Sequence, residues 1–136
     1  MRVYLSLLLA GLFLTTAVAA EAHHSASSFW YTDRSVSIEG VVKSVAMVNP
    51  HPEMVVTVTN PDGTHTDWYI SGGGNASAMI RAGWTQDTLT PGMAIKVEGA
   101  PSRREGAKAL LSGDVTIQAT GRVLDFSSGS DPITDQ

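Results

Sequence analysis

The fold is decided by a hairpin-forming stretch, which reads EMVVTVTNPDGTHTDWYIS over residues 53–71. Its first part predicts a strand over Glu53–Thr59, with the apolar residues of one face at every second position. Those residues are Met54, Val56 and Val58. The sequence Asn60-Pro61-Asp62-Gly63 predicts a tight turn, because Pro, Asp and Gly supply the backbone angles that turns need. We therefore expect Thr66–Ser71 to fold back as the partner strand.

A long strand and a proline-rich loop precede this hairpin. Residues Val36–Val48 are rich in β-branched side chains and predict a first strand, in which Gly40 marks a bulge or bend. The strand is interrupted at Asn49-Pro50-His51-Pro52, since proline lacks the N–H that a sheet ladder needs. The backbone of His51 is therefore expected to be restricted between two prolines.

One short helix and three further strands are predicted after the hairpin. The glycines at 72–74 are interpreted as a hinge, and a helix with an asparagine cap is predicted over Asn75–Ala82. Its packing face is expected to contain Ala76, Met79, Ile80 and Trp84. Alternating apolar residues predict a strand over Met93–Gly99, and two more are predicted over Ala107–Leu111 and Val115–Gln118. This order favours an all-β domain with one short helix, a small OB-like Greek-key β-barrel, over a plain β-sandwich.

Residues 1–22 have the layout of a cleaved secretory signal peptide. Arg2 gives a basic start, Leu5–Val18 is an apolar run too short to span a bilayer comfortably, and small residues follow. Several cuts satisfy the small-x-small rule, and we favour the last, which matches Ala-x-Ala. They follow Ala19, Ala20 and Ala22. We therefore expect the protein to be periplasmic or secreted after signal cleavage.

The rest of the chain is expected to form one domain over 23–126 and a disordered tail over 127–136, which is rich in Ser, Gly, Asp and Pro. The chain has no Cys, so an exported domain must be stabilised by apolar burial rather than by disulfides. The formal net charge is −4, and it stays −4 when the signal takes Arg2 and Glu21 with it. A mildly acidic domain without basic runs predicts no nucleic-acid binding. We also expect no membrane span after signal cleavage.

Two of the four histidines, His23 and His24, stand where the new amino terminus is expected. After a cut at Ala22, His23 offers an α-amine and an imidazole to one metal ion. An α-amine has a pKa of about 8, so a metal ion can displace its proton near neutral pH. After a cut at Ala20, an amine, two backbone nitrogens and the imidazole of His23 can surround Cu(II) or Ni(II). Such nitrogen-rich coordination favours copper. His51, in its proline-braced loop, is the best further ligand.

Each of these histidines also has a purely structural interpretation. The pair at 23–24 can be a polar, frayed chain end, and His51 can be a turn histidine bonded to backbone. His65 lies at a hairpin tip and is interpreted as solvated. Three carboxylates are interpreted as surface charges, with metal ligation as the alternative. They are Glu53, Asp62 and Asp67.

The aromatic and basic residues are assigned structural roles. Trp30 and Tyr31 are expected to pin an amino-terminal arm onto the barrel, and Trp68 and Trp84 are expected in the core. Arg103-Arg104 are interpreted as a solvated hairpin tip. The sequence contains no Gly-x-Ser-x-Gly elbow, phosphate-cradling loop or His-Glu-x-x-His helix, so we expect binding rather than catalysis.

Several short motifs are distinctive in combination. They are Ala22-His23-His24-Ser25, Asn49-Pro50-His51, Arg81-Ala82-Gly83-Trp84, Leu89-Thr90-Pro91-Gly92 and Val97-Glu98-Gly99. Together they resemble a family of small exported bacterial proteins classed as a domain of unknown function, over about His23–Leu124. The resemblance implies an exported, OB-like barrel without an established activity. It also implies that His23, His24 and His51 belong to the family's histidine-bearing motifs.

The sequence therefore predicts a small exported binding protein whose most specific feature is a copper site formed by His23, His24 and His51. A metal-free barrel that binds a peptide, a glycan or an envelope protein is the first alternative. A copper-dependent oxidative enzyme is the second, since a terminal histidine and a further histidine can form a reactive brace around copper.

Overall fold

The computed structural model describes residues 26–127 of the 136-residue chain. The predicted signal peptide, the pair His23 and His24, and residues 128–136 of the predicted tail lie outside the described residues. The described part contains six strands, one short α-helix and one 3-10 turn. In chain order they are the turn Ala26–Ser28, β1 Val36–Ala46, β2 Glu53–Thr59, β3 His65–Ser71, α1 Ala76–Arg81, β4 Ala94–Pro101, β5 Ala109–Ile117 and β6 Val123–Asp125.

Five of the six described strands close into a mixed barrel. Neighbouring strands run antiparallel in the order β3-β2-β1-β4-β5-β6. In addition, Tyr69–Ser71 of β3 pairs in parallel with Ala109–Leu111 of β5, which closes the ring of β1 to β5. The OB-like Greek-key barrel is therefore confirmed, and the alternative of a β-sandwich is wrong.

The long strand β1 is shared by both halves of the barrel. Its first part pairs with β4 and its last part with β2, and Val41 has a partner in each. A Cβ atom on Gly40 would lie 2.5 Å from the carbonyl oxygen of Thr57, so only glycine lets β1 and β2 approach this closely. The register shift lies farther along, between Val42 and Ser44. Of the bulge or bend predicted at Gly40, the bulge therefore lies later in the strand, and the bend stays a prediction.

The hairpin of β2 and β3 forms as the sequence predicts. Met54 and Val56 are buried, and Val58 is half-buried against the core. Gly63 has a φ of +81°, a left-handed conformation that glycine adopts without strain in a tight turn. The predicted turn is therefore confirmed, and β3 starts at His65, just before the predicted position.

The helix α1 follows β3 and contributes to the same core. The Asn75 side chain caps it by accepting hydrogen bonds from the N–H groups of Ser77 and Ala78 at 2.9 and 3.3 Å. Most of the predicted packing face is buried, namely Ala76, Met79 and Trp84. Ile80 is instead 53% exposed, because it is rotated by about 100° around the helix from its buried neighbour.

Within residues 26–127, no helix has the length and apolar character needed to cross a membrane.

The carboxyl-terminal part differs from the prediction in two ways. Strand β5 is continuous where the sequence predicts two strands, because the intervening Ser112 is buried and pairs with Gly99. The short strand β6 is missing from the prediction, and Phe126 just after it packs on Trp84 with ring centroids 5.6 Å apart. Trp84 is buried and Trp68 packs half-buried against the core, as the sequence predicts.

We predict that Gly40→Ala destabilises the barrel by roughly 1–3 kcal/mol, the usual cost of forcing extra atoms into a packed interior. The added methyl group would collide with the backbone of β2 at Thr57. Gly113→Ala is the matched control, because the nearest atom to its Cβ would be the Glu98 carbonyl oxygen at 3.4 Å. Urea unfolding followed by tryptophan fluorescence measures both variants. Equal loss of stability in the two would contradict the role given to Gly40.

Candidate functional site

An amino-terminal arm, residues 26–35, lies against the barrel before β1 begins. Trp30 forms an isolated β-bridge with Ser102. The N–H of Tyr31 donates a hydrogen bond to the carbonyl oxygen of Pro101 at 2.9 Å. The arm is thus joined to the end of β4, which confirms that Trp30 and Tyr31 pin it to the barrel.

The loop between β4 and β5 holds the arm through Arg103. Its Nε–H donates to the carbonyl oxygens of Ser27 and Trp30 at 2.7 and 3.1 Å, and its backbone N–H donates to that of Phe29 at 2.9 Å. The guanidinium also lies over the Tyr31 ring, 4.4 Å from the ring centroid. The prediction of a merely solvated Arg103 is therefore wrong. No local pattern marks this role, because the partners of Arg103 lie far away in the chain.

The loop between β1 and β2 holds His51 in a defined position. Asn49, whose bond to the following proline is cis, exchanges side-chain hydrogen bonds with Ser77 of α1 at 3.1 and 3.3 Å. Pro52 is buried, and its carbonyl oxygen accepts from the N–H of Gly72 at 2.8 Å. The loop is therefore fastened on both sides of His51.

The imidazole ring of His51 is oriented by the backbone. Its Nδ1 lies 3.1 Å from the carbonyl oxygen of Gly74. A carbonyl oxygen can only accept, so Nδ1 carries the proton, and the lone pair of Nε2 is left for another partner. Metal-binding histidines are commonly oriented in this way. A plain turn histidine makes the same bond, so the surroundings of the ring must distinguish the two interpretations.

His51 lines a cavity of about 480 Å³, which we call the His51 cavity. The arm contributes Ala26, Phe29 and Trp30 to its walls, and the end of β3 contributes Ser71. The structure thereby brings His51 and the start of the described arm to one place. The predicted ligands His23 and His24 lie just before this arm in the sequence, outside the described residues.

Close packing explains the glycines that follow β3. A Cβ atom on Gly72 would lie 2.5 Å from the Cγ of Pro52, and one on Gly73 would lie 2.6 Å from the carbonyl oxygen of Ser127. Gly72 and Gly73 are therefore needed for space, a reason that the interpretation of residues 72–74 as a hinge did not include. This packing places the His51 loop directly against the end of β3.

A second recess of about 200 Å³, which we call the aromatic slot, shares Trp30 and Ser71 with the His51 cavity. Its walls also include Glu53 of β2 and Tyr69 of β3. Tyr69 is 64% exposed. Among the described residues that line the slot, Glu53 alone is charged. The slot therefore offers aromatic surface and one carboxylate to a ligand.

Two of the three predicted surface carboxylates are occupied by neighbouring side chains. Asp67 accepts from Lys43 Nζ at 2.5 Å and from Thr57 Oγ1 at 2.8 Å, and the hydrogen bond from Lys43 is the main cause that lowers the pKa of its carboxyl. Asp62 accepts hydrogen bonds from the hydroxyl and the N–H of Thr64 at 2.6 and 2.9 Å. These bonds, the one from the hydroxyl above all, lower the pKa of the Asp62 carboxyl as well. These contacts give both carboxylates structural roles outside the His51 cavity.

His65 lies at the opposite end of the β2–β3 hairpin from the His51 loop. It is exposed, and its Nδ1 lies 3.2 Å from the hydroxyl of Thr59, in agreement with a solvated role. Within residues 26–127, no three His, Asp or Glu side chains come together as a metal site.

A family model matches residues 12–111 of the chain. The chain belongs to a family of unknown function, DUF6152. The matched part includes all three histidines of the predicted site and the barrel from β1 to the start of β5. The resemblance to a domain-of-unknown-function family is thus confirmed. No curated protein matches this DUF6152 chain.

We predict that His51 of the metal-free protein is the Nδ1–H tautomer, because the carbonyl oxygen of Gly74 accepts from that nitrogen. The measurement is a two-bond hydrogen–nitrogen correlation spectrum, in which the pattern of cross-peaks tells which ring nitrogen carries the proton. The exposed His65 provides the comparison within the same sample. A spectrum with the proton on Nε2 of His51 would contradict the ring orientation described above.

Proposed function

We propose that this protein is an exported copper-binding protein, which holds Cu(II) through His23, His24 and His51. Its role is to bind, sequester or deliver the metal rather than to turn over a substrate. One observation carries the proposal: Ala26 at the start of the described arm and His51 in the β1–β2 loop line the same cavity.

The connectivity of the chain supports a shared site. His24 precedes Ala26 by two residues, so the Cα atoms of the two are at most about 7 Å apart in any conformation. The histidine pair is therefore tethered next to the cavity that His51 lines. The tether raises the local concentration of the pair at His51, which favours joint binding of one ion.

The donor atoms suit copper. His51 supplies the lone pair of Nε2, and a chain that starts at His23 supplies an α-amine and a second imidazole nitrogen. The chain has no Cys and hence no thiolate. A nitrogen-rich set of this kind favours Cu(II) over the other divalent ions of its series. Its affinity falls as the pH falls, because protons compete for the same nitrogens.

We predict that His51→Ala weakens Cu(II) binding by about tenfold or more, since even changes next to metal ligands cost about 10–100-fold in affinity. The protein is isolated with its natural amino terminus, and affinity is measured by competition with a chelator of known strength. His65→Ala is the matched control, because it also removes an exposed imidazole but from the far end of the hairpin. It should leave the affinity unchanged.

The same samples test the role of the amino terminus. One extra residue placed before His23 separates the α-amine from the histidine and should weaken binding. Electron paramagnetic resonance counts the nitrogens around Cu(II), and His51→Ala should remove one of them. Equal copper affinity in wild type, His51→Ala and His65→Ala would refute the site. A natural protein that does not start at His23 would refute the proposed donor set.

A second function, metal-free binding of a peptide or glycan, is favoured by the aromatic slot. The slot is built on β2 and β3, the strands through which OB barrels commonly bind extended ligands. The exposed ring of Tyr69 and the half-buried ring of Trp30 offer apolar surface beside the Glu53 carboxylate. These features fit an apolar ring face or a positively charged group of such a peptide or glycan.

We predict for this second function that Tyr69→Ala abolishes binding to arrays of soluble glycans and short peptides, with a chelator present throughout. His51→Ala should bind the arrays as wild type does, because its ring does not line the slot. Val123→Ala provides the control for loss of an exposed apolar side chain elsewhere on the barrel. Array binding that is equal in Tyr69→Ala and wild type would contradict a ligand role for the slot.

A further inference from the structure

We infer that Arg103 is a positioning residue, which fixes the amino-terminal arm against the barrel and so sets the geometry of the site at His51. The effect on the arm follows from described contacts alone. The effect on metal affinity rests on the proposed copper function. Arg103 itself is assigned no contact with the metal.

Arg103 binds the backbone of the arm at three carbonyl oxygens. Its Nε–H is shared between the carbonyl oxygens of Ser27 and Trp30, and its own N–H reaches the carbonyl oxygen of Phe29 between them. Hydrogen bonds from a charged donor are stronger than neutral ones. Both side-chain bonds come from the one Nε–H, whose direction is fixed by the planar guanidinium group.

Tyr31 provides a second hold on the same arm. Its ring centroid lies 4.4 Å from the guanidinium carbon of Arg103 and 4.2 Å from that of Arg34. Its N–H is bonded to Pro101, which precedes the loop that carries Arg103. Arg103 therefore contacts both the backbone and a side chain of the arm.

The residues that Arg103 holds are walls of the His51 cavity. Phe29 and Trp30 line the cavity, and their N–H groups donate to the carbonyl oxygen of Ala26 at 3.1 and 2.9 Å. Because these hydrogen bonds close the 3-10 turn, fixing Phe29 and Trp30 also fixes Ala26, which lines the cavity too. His24 is attached two residues before it, so fixing the turn limits where the predicted ligands can be.

Removing Arg103 has two opposite effects on a bound cation. Loss of a positive charge favours the cation by Coulomb's law, although salt screens an exposed charge strongly. Loss of the side-chain bonds loosens the arm, which then stays joined to the barrel through backbone bonds at Phe29 and Tyr31. Loosening lowers the fraction of molecules with aligned ligands and weakens binding. We expect the second effect to dominate. Arg103→Ala should therefore weaken copper binding, against the direction of its charge change.

Arg104 is a matched control for this test. It is adjacent in the loop, exposed and of the same charge. Within residues 26–127 its side chain makes no hydrogen bond, and its backbone N–H is bonded to the Ser102 hydroxyl at 3.1 Å. Arg104→Ala therefore removes an equal charge and leaves the arm held.

The experiment compares wild type, Arg103→Ala, Arg103→Lys and Arg104→Ala, all with the natural amino terminus. Amide hydrogen exchange at Trp30 and Tyr31 in the metal-free protein reports on the arm, and chelator competition reports Cu(II) affinity. In Arg103→Ala we expect the amide exchange rate of the arm to rise about tenfold and the Cu(II) affinity to fall about tenfold. Loss of one charge-assisted hydrogen bond corresponds to a factor of about that size. Arg103→Lys keeps the charge but lacks the Nε–H donor, so its exchange and affinity should resemble those of Arg103→Ala. Arg104→Ala should match wild type in both. Urea unfolding confirms that each variant is folded.

The outcomes separate this inference from the copper function. Unchanged arm exchange in Arg103→Ala overturns the inference, whatever the metal does. Faster exchange with unchanged affinity, in a wild type that binds copper, overturns the positioning role at the site. If Arg103→Lys has wild-type exchange and affinity, the guanidinium Nε–H is not what holds the arm. If wild type binds no copper, the proposed function fails, and exchange alone decides whether Arg103 holds the arm.

Discussion

The parallel pairing of Tyr69–Ser71 with Ala109–Leu111 closes the barrel, and every other feature of the molecule depends on that closure. Without it, the strands would form an open sheet with two free edges. The same contact builds the recesses on the outside. Ser71 lines both of them, Leu111 lines the His51 cavity and Ala109 lines the aromatic slot. A short contact between two strands thus encloses the core and positions walls of both recesses.

The candidate site is assembled from loops that a rigid barrel holds in place, an arrangement typical of binding proteins. The β1–β2 loop brings His51, the segment after β3 brings the carbonyl that orients its ring, and the arm forms the facing wall. Membership of DUF6152 assigns no activity. Any activity of the protein must come from this local chemistry, because one fold supports many functions.

Much of the fold was predictable because its signals are local. Alternation of apolar residues located β2 and the buried face of Met54 and Val56, and Asn75 marked the start of α1. Errors arose where a distant segment changed the environment. Burial of Ser112 joins two expected strands into β5, and the short β6 is stabilised by the core contact of Phe126 rather than by a sequence pattern.

The sequence by itself determined strands β1 to β4, the turn between β2 and β3, and the cap of α1, because each is encoded over a few neighbouring residues. Only the tertiary structure decided that Gly40 and Gly72 are needed for close packing, that Arg103 fastens the arm, and that Ala26 shares a cavity with His51. The physical reason is the same in each case. Each role depends on contacts between segments that are far apart in the chain and meet only in the folded barrel. Such long-range contacts leave no local pattern in the sequence.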